Sequence, residues 1–276
     1  MIACAAIDAI VDGLFITVAI SSLKGLPLSK KCSWAKLCTC LSGSLLGFSA
    51  PWPSRWHCTR RTVVRLPEAD GEPLGQWGHG APAHRLLVVG ESTAAGVGVL
   101  HHHQGLASQL ALQLHQQSGQ AVAWHTFGVN GIRVEELLAR LADTALPPVD
   151  QIFISMGVND TTGFTSRRRY RIGLLQLIEA LSKQHPHIRI TLLAVPPMHK
   201  FTALPILLRQ LLGWRARQLD QQHRRVARNV SLARYLDYPA LQDPALLAKD
   251  GYHPNASGYR AMAAALTEQK SSKQKT

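Results

Sequence analysis

Four short stretches of this chain carry residues able to do chemistry together. LLVVGESTAAGVGV, residues 86–99, sets Ser92 in a glycine-rich turn at the end of an apolar run. DGYHPNASGY, residues 250–259, sets His253 three residues after Asp250, near enough for the carboxylate to orient the imidazole and fix its tautomer. ISMGVNDTTG, residues 154–163, ends a second apolar run on Gly157, Asn159 and Asp160, and FGVNGIRVEEL, residues 127–137, ends a third near Gly131. An asparagine amide, or a backbone N–H freed by a glycine turn, can donate to a developing oxyanion. A hydroxyl, an imidazole with its own carboxylate and such donors are the parts of acyl transfer through a covalent intermediate.

Each stretch also has a plainer reading. Ser92 serves equally as a helix N-cap, His253 as a surface histidine with Asp250 as a local turn acceptor, and Gly131 and Asn159 as ordinary turn residues. Phosphate binding is the other use of a strand that ends in a glycine turn. A phosphate loop needs a lysine before its final Ser/Thr, and GESTAAGVGV has none. The dinucleotide fingerprint fails as well, because Gly96-Val97-Gly98 runs on into Val99, Leu100 and His101. A serine held at a strand end remains.

The elements that must position these residues follow from periodicity. Apolar runs predict strands at 85–89, 121–127, 151–156, 188–195 and 230–236, and amphipathic patterns predict helices at 104–117, 134–142, 168–184, 204–226 and 256–267. That alternation implies an α/β domain with a mainly parallel five-stranded sheet, right-handed crossovers and helices on both faces. Functional loops then lie at the strand C-terminal ends, so three strand ends and the last loop supply hydroxyl, donors and base from one rim. The chain divides into an N-terminal extension (1–50), a linker rich in Pro, Gly, Arg and Trp that packs on the main body (51–83), the α/β domain (84–268) and a polar tail (269–276).

In order and spacing, GES at Ser92, the turn at Gly131, GVND at Asn159 and DGYHPN at Asp250 and His253 resemble the four blocks of the SGNH, or GDSL-type, serine hydrolases, the bacterial branch in particular. The resemblance covers about residues 85–266. It implies a three-layer α/β/α sandwich, flavodoxin-like in architecture, acting as an esterase, lipase or acyl-thioesterase on a small-molecule ester or thioester. Ser92 would be the nucleophile, His253 the general base and Asp250 its orienter. The Ser92 and Gly131 N–H groups and the Asn159 side chain would form the oxyanion hole, and no metal or organic cofactor is implied. The chain departs from the family pattern at Glu91, where Asp is usual, at Thr126, where Asn is common, and at Arg133, where a small hydroxyl residue is frequent. Glu91 is one methylene longer, so a carboxylate bracing the turn must be re-aimed there. That departure keeps open a catalytically silent acyl- or glycan-binding module, and an acyltransferase would share every catalytic residue.

The formal charge is +13 with a pI near 10.0, and residues 161–236 hold fourteen Lys/Arg against two acids. In that segment Leu204, Leu207, Leu208, Leu211, Leu212 and Leu219 form a helical apolar row among arginines. One reading is a core-packing helix with a solvated face. The other has residues 198–205 walling an acyl pocket while Arg209, Arg215 and Arg217, with a second cluster at Arg167, Arg168, Arg169 and Arg171, face an anionic membrane surface. No nucleic-acid-binding module is present, and only non-specific phosphate attraction is supported. Cys4, Cys32, Cys38, Cys40 and Cys58 all lie upstream of residue 84, and their odd count and spacing fit neither a disulfide framework nor a zinc site. His101, His102 and His103 read as solvent-facing rather than metal-binding. The apolar stretches 13–23 and 37–50 fall short of the ~20 residues that span a bilayer. Two placements follow, cytoplasmic or membrane-associated with those stretches as an anchor, and no sequence feature fixes the oligomeric state.

Overall fold

Aliphatic runs with β-branched residues make the strands, and a computed structural model describes them within residues 66–273, apart from 187, 202, 240, 242 and the side chains of 270–273. The N-terminal apolar stretches and all five cysteines lie outside the described residues. The strands are β1 (Leu74–Trp77), β2 (His84–Gly90), β3 (Val122–Gly128), β4 (Gln151–Ser155), β5 (Arg189–Leu193) and β6 (Ala233–Leu236). The helices are α1 (Leu106–Ser118), α2 (Val134–Ala142), α3 (Val158–Thr162), α4 (Arg167–Gln184), α5 (Ile206–Asn229) and α6 (Ala256–Lys273).

The sheet order is β1-β3-β2-β4-β5-β6, with β2 to β6 parallel and β1 antiparallel to β3. Successive side chains point to opposite faces. Leu87, Val89, Ile152, Ile154, Ile190 and Leu192 accordingly pack on α2, α4 and α5, while Leu86, Val88, Phe153, Leu193 and Leu236 pack on α1 and α6. Burial on both faces is why these strands read as continuous apolar runs. The result is the three-layer α/β/α sandwich.

The sheet has six strands, not five. The extra one, β1, comes from the stretch read as linker; it covers the outer edge of β3, and its Trp77 Nε1 donates to Ser108 O at 3.1 Å and Oγ at 3.0 Å. LGQW is short, half-exposed and set among Gly and Pro, so it carries no alternation to read. The five-residue α3 is too short to show a helical period, and it was not anticipated. Helix α1 begins only at Leu106, so Ser92 does not sit at a helix N-terminus as the sequence suggested.

β3 and β4 flank β2 on opposite sides, so the crossover from β2 runs to one side of the sheet and that from β4 to the other, which opens a crevice above the C-terminal ends of β2 and β4. Those ends carry Glu91-Ser92 and Gly157-Asn159. No helix among the described residues is long and apolar enough to cross a membrane.

Candidate active site

Ser92 stands one residue past the hydrogen-bonded end of β2, where the Glu91 N–H still donates to Ser155 O at 3.1 Å. The Ala94 and Ala95 N–H groups both donate to Glu91 O, at 2.9 and 3.0 Å, wrapping a single turn around Ser92. Gly98 ends that turn at φ 102°, and a Cβ there would lie 2.2 Å from Pro254 O. Only glycine fits. The Ser92 turn is thereby seated directly on the loop that carries His253. The buried Tyr259 hydroxyl fastens the contact by donating to Val97 O at 2.8 Å, and the Val97 N–H donates to Ser92 O at 3.0 Å. In place of a helix end, the negative-charge donors near Ser92 are single N–H groups. Neither the Ser92 N–H nor the Gly131 N–H has an acceptor among the described residues.

Glu91 resolves the main departure from the family pattern. Its side chain is buried and crosses from the end of β2 to the start of α3. Oε1 accepts from the Val158 N–H at 2.8 Å, and Oε2 accepts from the Asn159 N–H at 2.9 Å and from Asn159 Nδ2 at 2.6 Å. The longer arm therefore caps α3, whose own N-cap residue Gly157 has no side chain, and holds the Asn159 amide by one of its two N–H bonds. The other N–H has no acceptor among the described residues. Burial pushes the Glu91 carboxyl up to about 7, against the pull of these donors and with help from nearby Asp160.

Glu91→Gln is expected to lower stability by about 2–3 kcal/mol in a denaturant titration, because whichever oxygen becomes NH2 then faces an N–H donor in a buried site. A raised carboxyl contributes stability that is complete below its unfolded value, near 4.5, and lost as pH rises through about 7. The wild-type protein should lose stability across that window, and the Gln variant should lack this slope.

Asp160, next to Asn159, fixes the other donor. Its Oδ2 accepts from the Val134 N–H at 3.0 Å, the first residue of α2, so the Gly131 turn before that helix is tied to α3. Gly131 itself sits at φ 87°, the left-handed conformation that favours glycine, three residues past the end of β3. Thr126 donates to Ala94 O, and Arg133 pairs with Glu136 at 2.8 Å, so both departures in this block are absorbed by local bonds.

Behind α3 lies a buried pair that sequence reading missed. Tyr170 Oη and His223 Nε2 are 2.7 Å apart, and His223 Nδ1 is 2.8 Å from Leu193 O. A ring nitrogen facing a carbonyl carries the proton, so Nδ1–H donates to Leu193 and Nε2 accepts from the Tyr170 hydroxyl. Burial pushes His223 down to about 4 and keeps it neutral. The pair backs Gly157, where a Cβ would meet Tyr170 Oη at 3.0 Å and Val195 Cγ2 at 2.6 Å. Helical spacing places Tyr170 in the core, and nothing in the sequence links it to His223.

The last loop joins Asp250 and His253. Asp250 Oδ2 accepts from His253 Nδ1 at 2.5 Å, while Oδ1 accepts from the Tyr252 and His253 N–H groups at 3.2 and 3.1 Å. Burial pushes the Asp250 carboxyl up, but these bonds and the neighbouring imidazole outweigh it and hold the group below its ordinary value. The aspartate side chain is 1% exposed and the histidine 14%, so the pair is dry at its base and open at its tip. The Tyr252 ring covers His253 with centroids 4.5 Å apart and stacks in turn on Phe201 at 5.9 Å.

The structure thus brings Asp250 to His253, Asn159 to Glu91, and the Ser92 turn to the His253 loop. It draws no hydrogen bond between the Ser92 hydroxyl and His253; that contact is one that tightens in a substrate complex in many such sites. No group of three or more His, Cys, Asp or Glu side chains among the described residues could hold a metal ion. His101 and His103 are exposed and stack on each other.

A doubly wound α/β/α domain that carries these segments on three strand ends and its last loop defines a hydrolase of the SGNH type. A family model described as GDSL-like Lipase/Acylhydrolase matches residues 88–261. Among solved structures, the psychrotrophic esterase EstA from Pseudoalteromonas is 14% identical with a TM-score of 0.54, covering 70% of this chain and 100% of its own. A lipase from a goat rumen metagenome is 17% identical with a TM-score of 0.53, covering 68% and 97%. A member of the lipolytic G-D-S-L family from Veillonella parvula is 17% identical with a TM-score of 0.52, covering 67% and 97%. No curated protein matches the chain. The chain belongs to the GDSL-like lipase/acylhydrolase family, hydrolases that act on ester bonds.

Proposed function

We propose that this hydrolase cleaves carboxylic ester or thioester bonds of small molecules through an acyl-enzyme on Ser92. The observation that supports this most directly is the Asp250–His253 bond. With its proton held on Nδ1 by a buried carboxylate, the imidazole offers Nε2 as a base. Ser92 Oγ attacks the carbonyl carbon as Nε2 takes its proton. The oxyanion receives the Ser92 and Gly131 N–H groups and the free N–H of Asn159 Nδ2. The bond to the leaving oxygen or sulfur breaks as Nε2 returns the proton to it. Water, deprotonated by the same nitrogen, then releases the acid and restores the serine.

A fluorophosphonate probe tests this reading: labelling that vanishes in Ser92→Ala supports it, and a folded wild-type protein that takes no label ends it in favour of a binding module. EstA, of the same fold, was solved in a form inhibited by monoethylphosphonate. Asn159→Ala should lower kcat by roughly 10²- to 10³-fold with KM little changed, measured on p-nitrophenyl esters and acyl-CoAs. Free acid as the sole acyl product separates hydrolysis from transfer to a sugar.

A further inference from the structure

We propose that the N-terminal end of α5, with the loop before it, is a docking surface for an anionic lipid bilayer. It rests on the acylhydrolase reading only for what the docking would serve, delivery of the crevice to an ester held in that surface.

The first observation is apolar area left in water. Leu207 was expected in the core-facing row of this helix, but it is 84% exposed; Ile206 beside it is 64% exposed and Trp214 is 53% exposed. The row that does pack inward is Leu204, Leu208, Leu212 and Leu219. Leu207 and Trp214 are seven residues apart, two turns along one side of the helix, so the exposed apolar groups share a face.

The second observation is charge without counter-charge. Lys200 and Arg217 are exposed, Arg209 is half-buried, and none of the three has an acidic partner among the described residues. Further along, exposed Arg225 and Arg228 are also unpaired, whereas Arg224 is held by Asp220 and Asp237. Arg215 does not join this set. It donates to Thr165 O and lies over the Phe164 ring, 5.7 Å from its centroid, which ties α5 to the segment after α3 and corrects its expected lipid-facing role.

The third observation is place. The loop before α5 is stacked through Phe201 on Tyr252, which covers His253, and Ala203 lies against Gly251. The surface is therefore continuous with the loop of the proposed base, at the same rim as Ser92. Cations alone would suit any polyanion. Exposed aliphatic side chains gain nothing from a phosphate backbone, whereas the boundary of an anionic bilayer rewards Leu, Ile and Trp together with Lys and Arg.

The test uses the full chain and vesicles of phosphatidylcholine with or without about one third phosphatidylglycerol. Expected results are at least about tenfold tighter binding to the anionic vesicles and a further loss of roughly fivefold for each of Lys200→Glu and Arg217→Glu. Leu207→Asp should weaken binding by about tenfold or more, with circular dichroism unchanged because the site is exposed. Brominated lipid should quench tryptophan fluorescence in the wild type, and Trp214→Phe, a conservative change, should diminish that quenching by the share Trp214 contributes among the six tryptophans. Equal binding to neutral vesicles, binding indifferent to Leu207→Asp, or quenching undiminished in Trp214→Phe each overturns the proposal. Ser92→Ala should bind vesicles as the wild type does. Vesicle binding by a protein that hydrolyses no ester would uphold this surface and sink the acylhydrolase reading; hydrolysis of a soluble ester with no vesicle binding would do the reverse.

Discussion

Ser92→Ala should lower kcat on a p-nitrophenyl ester by about 10⁶-fold while the protein stays folded. Ser92 is 9% exposed and its hydroxyl has no hydrogen bond among the described residues, so its loss removes little that holds the turn. The turn is kept by backbone bonds from Ala94, Ala95 and Val97 and by the seat of Gly98 on Pro254. Activity and stability should therefore separate cleanly, with the denaturation midpoint within the range of ordinary surface changes, about 0.5 kcal/mol. Burst kinetics on the wild type count the acylated sites. A variant that keeps activity within tenfold of wild type would place the nucleophile elsewhere.

Asp250→Asn should cost about 10⁴-fold in kcat, and the orientation of the amide says why. Oδ1 of Asp250 faces two N–H donors, from Tyr252 and His253, so an asparagine must keep its carbonyl oxygen on that side. Its NH2 then points at His253 Nδ1, where the carboxylate accepted at 2.5 Å. A donor at that place selects the imidazole tautomer with its proton on Nε2, the nitrogen that must receive the serine proton. The ring stays in position but holds the wrong proton. Single-turnover acylation should slow by the same factor as kcat, with substrate binding nearly intact. A loss of less than about tenfold would mean that His253 works without its carboxylate.

The long, strongly patterned elements were legible in the sequence, and the short ones were not. VEELLARLA announces α2 to the residue because Val134, Leu137 and Leu141 recur on one face behind a clear polar start. LGQW and VNDTT have too few residues for any period to show, so β1 and α3 emerge only from the sheet edge and crevice they complete. The local pair Asp250 and His253 could be read from three residues of spacing. The reach of Glu91 to Val158 and Asn159 could not, since it spans more than sixty positions and depends on β2 lying beside β4. Leu207 was misassigned for a related reason: a leucine row marks an apolar helix face, yet the side chains at its edge are sorted inward or outward only by the neighbours that the fold supplies.

The contact between Tyr259 and Val97 joins residues 162 positions apart. During synthesis the Ser92 segment leaves the ribosome long before its partner does, and it has no base beside it until the last helix has been made and docked. On the mechanism proposed above, hydrolytic competence waits for that docking, and a nascent chain, or one clipped before His253, should carry its serine idle.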